Sequence, residues 1–370
     1  MRIVLTGGGT GGHIYPALAI ARGLKENNPK AEVLFLGTAK GLEADIVPRE
    51  GFNFEIITAE ALRRKLSLRV FKTVFSAIKG FFDALRILKR FKPTVVVGTG
   101  GYVCAPVISA AVMLKIPTLI HEQNAYPGIT NKLLSGFVTK VAATFPESRK
   151  YFSSRADIKV TGLPVRPEIT MAEREAGVKA LSLDGNRFTV LVLGGSRGAR
   201  SINKALPDVA AKVCGQQGMQ LVLVTGQTGY EETLGDFRSR GIDLAGCGNV
   251  TVTPYLYNID EALAVADLVI CRAGATSIAE ITVRGLPSVL IPYPYASGNH
   301  QEYNAEALVR KGAAVMIPDR NLTSKVLWDT IYNLFSDRQV LAGMAEKSRS
   351  LGKPGALKHI LQLINDISGQ

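Results

Sequence analysis

Five clusters hold the side chains of this chain that could do chemistry. The first, Gly7-Gly8-Gly9-Thr10-Gly11-Gly12-His13, is a glycine-rich turn that ends on an imidazole. Such a turn between a strand and a helix lets the backbone approach an anion, and the helix N-terminus adds N–H groups and positive dipole. Histidine titrates near neutral pH, so His13 beside an inferred phosphate suits a general base; the plainer alternative is a residue that only hydrogen-bonds that phosphate. The second cluster, Gly194-Gly195-Ser196-Arg197-Gly198-Ala199, repeats the glycine turn in the other half of the chain. The third, His121-Glu122-Gln123-Asn124, follows the apolar Leu119-Ile120, and is either a site or a loop cap. The fourth runs from Arg272 to Glu280 and puts a carboxylate on the second turn of a helix. There Glu280 can accept two hydrogen bonds from a ribose diol, or merely favour the helix N-terminus. The fifth, Asn299-His300-Gln301-Glu302-Tyr303-Asn304-Ala305, offers amides suited to neutral hydroxyls.

Strands and helices must position these clusters. Each glycine turn follows a β-rich run, Arg2–Thr6 or Phe188–Leu193, and leads into a helical stretch, from Pro16 to about Asn27 or to about Val213. Further apolar runs follow at Val33–Leu36, Val95–Val97, Thr118–Ile120 and Val138–Ala143, then at Leu221–Val224, Val250–Val252, Leu268–Cys271, Ser288–Ile291 and Ala314–Ile317. Continuous apolar strands separated by helices indicate parallel sheets covered on both faces. The expected fold is therefore α/β: two Rossmann-like domains in tandem, their parallel sheets and glycine turns facing across a cleft. The Pro-containing segment Gly162–Pro167 is the expected junction, and residues 354–367 form a separate amphipathic helix able to pack on either domain. Gly7-x-Gly9-x-x-Gly12 also matches the dinucleotide fingerprint, but the second strand ends Gly37-Thr38-Ala39-Lys40, without the acid that would hold a ribose. No P-loop motif is present.

Composition narrows the partners. With 370 residues, 46% of them apolar and 20% charged, the chain is long enough for about two ordinary globular domains. Cys104, Cys214, Cys247 and Cys271 form no CxxC pair, which argues against a zinc knuckle or a disulfide framework and fits a reducing compartment. A strand-like start directly after Arg2 predicts no signal peptide, and glycines and Pro106 break the uncharged stretch Thr94–Leu114 into strand, turn and buried helix. Residues 1–163 carry 23 of the 44 Lys and Arg and 11 of the 31 Asp and Glu, a net of +12; the 21 basic and 20 acidic residues left give residues 164–370 only +1. Much of the excess lies between Leu62 and Lys92, where Phe71, Val74, Phe75, Ile78, Phe82 and Leu85 recur at helical spacing, flanked by Lys65, Arg69, Lys72, Lys79, Arg86 and Arg90. A basic amphipathic helix of this kind suits an anionic lipid surface, unless its phenylalanines face the core.

Together, Gly8–His13, Gly100-Gly101-Tyr102, His121–Asn124, Pro164-Val165-Arg166, Gly194–Ala199, Glu280 and His300-Gln301-x-x-Asn304-Ala305 resemble, in order and over essentially the whole chain, one family: the bacterial UDP-N-acetylglucosamine:lipid I N-acetylglucosaminyltransferases of peptidoglycan synthesis. The resemblance implies a GT-B fold with an acceptor- and membrane-binding domain (1–163), a UDP-sugar domain (164–352) and a last helix (353–370) returning to the first. It implies inverting transfer of N-acetylglucosamine from UDP-N-acetylglucosamine to the C4 hydroxyl of a polyprenyl-diphosphate-linked muramoyl peptide, with no cofactor and no metal. His13 is then the first candidate base and Glu122 the second. Thr10, Gly11, Gly12, Asn124, Arg166, Ser196, Leu256, Ala275, Thr276, Glu280 and Gln301 fall at donor positions: Glu280 on the ribose, Ser196 on the diphosphate, Gln301 and Asn124 on the sugar. Gly8, Gly9, Gly100, Gly101 and Tyr102 fall on the acceptor side. Phe71, Lys72, Phe75, Lys79, Phe82 and Arg86 meet the cytoplasmic face of the membrane as a peripheral contact. Leu256, Leu163 and Ala273 depart from the residues more common in that family, isoleucine, asparagine and serine.

Three other readings compete. A related GT-B enzyme acting on another membrane lipid, such as diacylglycerol, would share the donor motifs. A nucleic-acid partner is suggested only by a pI near 9.6, and leaves the glycine turns unexplained. A dehydrogenase lacks its ribose acid.

Overall fold

The computed structural model describes residues 1–60, 69–194, 198–244 and 246–369, with backbone alone over 69–74. The chain divides into two units, Met1–Pro164 with Pro354–Gln370, and Val165–Lys353.

The first unit alternates β1 (Arg2–Thr6), α1 (Gly11–Asn27), β2 (Glu32–Gly37), α2 (Glu43–Arg49), β3 (Asn53–Ile56), α3 (Arg69–Phe91), β4 (Val95–Gly98), α4 (Cys104–Met113), β5 (Thr118–Glu122), α5 (Ile129–Leu134), β6 (Lys140–Ala143) and β7 (Ile158–Val160). Its sheet has the order β3-β2-β1-β4-β5-β6-β7, and every pairing is parallel, so each strand returns through a crossover. Strand alternation sends Ile3, Leu5, Val33, Phe35 and Val95 into one apolar layer, and Val4, Leu34, Leu36, Val96 and Ile120 into the other.

The second unit contains α6 (Pro167–Met171), α7 (Arg174–Ala180), β8 (Phe188–Leu193), α8 (Arg200–Cys214), β9 (Met219–Val224), α9 (Tyr230–Ser239), β10 (Val250–Thr253), α10 (Ile259–Val265), β11 (Leu268–Cys271), α11 (Ala275–Arg284), β12 (Ser288–Leu290), α12 (His300–Val309), β13 (Ala314–Met316), α13 (Ser324–Ser336) and α14 (Arg338–Leu351). Its parallel sheet runs β10-β9-β8-β11-β12-β13. The closing helix α15 (Ala356–Ser368) belongs to the first unit, where Ile360, Leu361 and Ile364 join the layer beneath α1.

This strand order fixes where a site can form. In each sheet the order reverses at one place, beside β1/β4 and beside β8/β11, and ligands of such sheets bind outside the strand ends at that switch point. The turns leaving those strands are the ones that carry Gly7–Gly12, Thr99–Val103 and Arg272–Gly274, and Gly194 directly follows β8.

Several expectations need adjustment. Two edge strands, β3 and β7, give no apolar run to read, because none of their residues is fully buried. Helix α1 begins at Gly11 rather than Pro16, and takes that proline in its second turn. Cys214, ending α8, is bonded to Cys247, 33 residues on and with Cα atoms 5.2 Å apart, so one disulfide is present where none was expected; Cys104 and Cys271 stay as buried thiols. Among the described residues no helix is long and apolar enough to cross a membrane.

Candidate active site

In the first unit the turns after β1 and β4 interlock around His13. The Gly8 amide donates to the Gly100 carbonyl (3.3 Å), and the Thr99 hydroxyl donates to the His13 carbonyl (2.7 Å). The imidazole Nδ1 lies 3.0 Å from the Gly8 carbonyl oxygen and 3.3 Å from the Thr10 hydroxyl. A carbonyl can only accept, so Nδ1 carries the proton and Nε2 is the basic nitrogen. Gly100 and Gly101 leave room for this ring at φ of +108° and +87°: a side chain at Gly100 would meet the imidazole, and one at Gly101 would overlap the Gly8 carbonyl. The candidate residues Gly8, Gly9, Gly100, Gly101 and His13 are thus one local assembly. Tyr102 joins it, its ring against Gly9 and its hydroxyl 3.2 Å from the Thr38 hydroxyl. Thr10 precedes α1 without capping it through its side chain, and Gly11 and Gly12 open the first turn.

The third cluster is built differently. Glu122 is buried, and its carboxylate accepts from four donors: the Asn124 amide (2.9 Å) and side chain (3.2 Å), the Gly128 amide (3.1 Å) and Asn131 Nδ2 (2.8 Å). Its lone pairs are spent on the loop that leads to α5. That makes Glu122 the anchor of Asn124, a poorer base than His13. His121 is also buried, and Gln123 Nε2–H donates to its Nδ1 (3.1 Å) while its Nε2–H donates to the Gly162 carbonyl (3.0 Å). Burial pushes this imidazole down to about 4, so it is neutral at pH 7.

In the second unit Glu280 sits on α11 behind the turn Arg272–Gly274. Burial raises its carboxyl above the ordinary range, and Arg166, 3.5 Å away and half exposed, opposes that shift. Gly274 caps α11 without a side chain, so the first-turn amides at Ala275 and Thr276 have no side-chain cap. That arrangement suits an anion beside a diol: amides and dipole for a phosphate, a carboxylate for two hydroxyls. Arg272 braces the turn, donating to Asp319 (2.5 Å), to the Ile291 carbonyl (3.1 Å) and to the Ser201 hydroxyl (2.8 Å). Gln301 accepts from the Tyr293 amide (2.9 Å), whereas Asn304 is fully buried and donates to the Ala273 carbonyl (3.1 Å). Asn304 is therefore part of the scaffold. Leu256 is half-buried between the exposed Tyr255 and Tyr257. Ser196 lies outside the described residues, as do the side chains of Phe71 and Lys72. Among the described residues no group of three His, Cys, Asp or Glu could hold a metal ion.

The apolar stripe of α3 divides between two faces. Ala84, Leu85 and Leu88 enter the core, while Phe75 and Phe82 are 69% and 62% exposed, with Lys79 and Arg86 exposed beside them. The same layer of helices exposes Met113 at the end of α4, and Ile129, Leu133 and Phe137 around α5, which the sequence reading did not single out.

The glycosyltransferase family 28 N-terminal domain model matches residues 3–143, and the family's C-terminal domain model matches residues 189–360. The chain is 51% identical over 367 residues to a protein of Desulforamulus reducens, covering 99% of each, and 50% identical over 367 residues to one of Moorella thermoacetica, covering 98% of each. Both carry the name UDP-N-acetylglucosamine--N-acetylmuramyl-(pentapeptide) pyrophosphoryl-undecaprenol N-acetylglucosamine transferase. Among solved structures it is similar to the crystal structure of Acinetobacter baumannii MurG, with TM-score 0.80, 31% identity and 99% of each chain covered. The UDP-GlcNAc 2-epimerase of Neisseria meningitidis, at TM-score 0.68 and 13% identity, shares the fold alone.

Proposed function

From the premise that this chain belongs to glycosyltransferase family 28, we propose that it transfers N-acetylglucosamine from UDP-N-acetylglucosamine to the lipid-linked N-acetylmuramyl pentapeptide, giving the disaccharide lipid from which peptidoglycan is made. The full-length likeness to transferases of that name carries the reading, and the site geometry supports the roles that follow. The acceptor's C4 hydroxyl attacks the anomeric carbon of the donor sugar. The bond from that carbon to the diphosphate breaks, UDP leaves with the electron pair, and the hydroxyl proton passes to His13 Nε2. The new linkage is inverted, since one displacement occurs.

Glu280 accepts from the ribose diol, and the first-turn amides of α11 with the turn around Ser196 take the diphosphate charge. Gln301 and Asn124 contact the sugar, and Glu122 holds Asn124 in place. Positive potential from helix ends supports departure of UDP without a metal. The exposed apolar side chains Phe75, Phe82, Met113 and Phe137, with Lys79 and Arg86, support peripheral docking of the first unit on an anionic cytoplasmic leaflet, where a polyprenyl acceptor resides.

Incubation with UDP-N-acetylglucosamine and a short-chain analogue of the muramyl pentapeptide lipid tests this, with released UDP and the disaccharide product measured together. Stoichiometric UDP and disaccharide are expected. Turnover with diacylglycerol and none with the muramyl lipid would favour the related lipid glycosyltransferase instead.

A further inference from the structure

Glu43, the first residue of α2, is a buried carboxylate that none of the roles above uses. Its Oε1 accepts from the Thr38 amide (3.1 Å) and hydroxyl (2.9 Å), and its Oε2 accepts from the Gly9 amide (3.2 Å). All three partners are donors, as an anion requires. Side chains at Gly8, Gly37 or Gly41 would collide with Glu43, so three glycines, one of them ending β2, clear the space it occupies.

The Gly9 amide and the Gly8 carbonyl are the two ends of one peptide group. Its N–H points at Glu43, and its C=O accepts from His13 Nδ1 at 3.0 Å. A trans peptide directs these groups to opposite sides, so carboxylate, peptide and imidazole lie in one hydrogen-bonded chain. Hydrogen bonds in such a chain polarise one another. A carboxylate on the N–H end makes the carbonyl a stronger acceptor, which favours the protonated imidazole beyond it.

We propose that Glu43 is a positioning residue for His13: acting through the Gly8–Gly9 peptide, it fixes the Nδ1–H tautomer and raises the proton affinity of Nε2. This rests on the reading of His13 as the base. A carboxylate bonded directly to a histidine does the same work in other hydrolytic and transfer sites, and here one peptide group stands between the two. Thr38 completes the device by holding the other carboxylate oxygen while accepting from the Tyr102 hydroxyl at 3.2 Å. Titratable groups packed on these turns include Tyr102, Tyr15, whose ring lies against Gly11, and Cys104. Burial pushes the Cys104 thiol up to about 12, so that thiol carries no charge at neutral pH.

The test is an NMR titration of the histidine ring protons in wild type, E43Q and E43D, run beside the pH profile of kcat/KM. The chain has four histidines, and the resonance lost in H13Q assigns His13. A direct carboxylate contact shifts a pKa by one to three units, so through one peptide the His13 pKa should fall by about half a unit to one unit in E43Q. The acid limb of kcat/KM should move down with it. E43D keeps the charge but retracts it by one methylene, and should stand between wild type and E43Q. A His13 titration at the wild-type pH in whichever of the two variants folds overturns the proposal. The two readings fail separately: H13A with wild-type kcat sinks the base and leaves the titration shift standing. An inactive H13A with an unmoved His13 in E43Q sinks only the coupling.

Discussion

Gly101→Ala measures how much of the activity depends on the interlocked turns. Gly101 has φ of +87°, which costs a residue with a side chain about 1–2 kcal/mol. The new methyl would also overlap the Gly8 carbonyl oxygen, which must retreat by roughly 1 Å to reach ordinary contact distance. That oxygen is the acceptor for His13 Nδ1 at 3.0 Å, and the retreat breaks the bond, worth about 1 kcal/mol net. The sum is roughly 2–3 kcal/mol, which lowers Tm by about 4–12 °C for a unit of this size. Freed from its tautomer and direction, His13 should lose much of the 10²- to 10⁴-fold that a placed base contributes, so kcat falls by about 100-fold or more. Gly51→Ala is the control, because Gly51 has φ of +79° with no atom near its missing side chain. It carries the backbone strain alone, about 1–2 kcal/mol, and leaves kcat unchanged. Differential scanning calorimetry and UDP-release kinetics on the two variants give the answer. Equal kcat in G101A and G51A would refute the reasoning.

Three further outcomes follow from the geometry. Glu280→Gln should raise the donor KM about 10- to 100-fold by removing charge-assisted bonds to a diol. Because burial holds the Glu280 carboxyl above its ordinary range near 4.5, ionising it costs the folded state more than the unfolded one. Wild type should therefore lose Tm relative to E280Q as pH rises from about 4.5 through the raised folded value, and the half-exposed Arg166 recovers at most about 1 kcal/mol. Glu122→Gln turns one carboxylate oxygen into a donor facing two other donors, and should cost about 3 kcal/mol in denaturant unfolding without moving the acid limb of kcat/KM. Reversing Lys79 and Arg86 to Glu should weaken binding to anionic vesicles by about 30-fold or more, at about 1 kcal/mol per cation removed. Unchanged vesicle binding by the folded variant would remove α3 from the docking face.

The strands that pack on both faces were legible, since Val95–Gly98 or Leu268–Cys271 must be apolar throughout. The edge strands β3 and β7 were not, because they bury no residue fully and keep polar ones such as Asn53 and Lys159. The glycine turns and His13 stood out by composition. Glu43 did not: a lone acid opening a short helix has no periodicity, and its meaning appears only once Gly8, Gly37 and Gly41 close around it. Glu122 is the opposite case. An acid at a strand end reads as a base until its four donors are seen. The pairing of Cys214 with Cys247 is likewise tertiary, with 33 residues between them and no motif to mark it.

The most direct measurement is kcat for His13→Ala at saturating donor and acceptor, in protein whose folding is verified by its unfolding transition. A general base that takes the acceptor proton contributes about 10²- to 10⁴-fold, so kcat should fall by that factor while the donor KM stays within about threefold. A wild-type kcat in that variant would contradict the account.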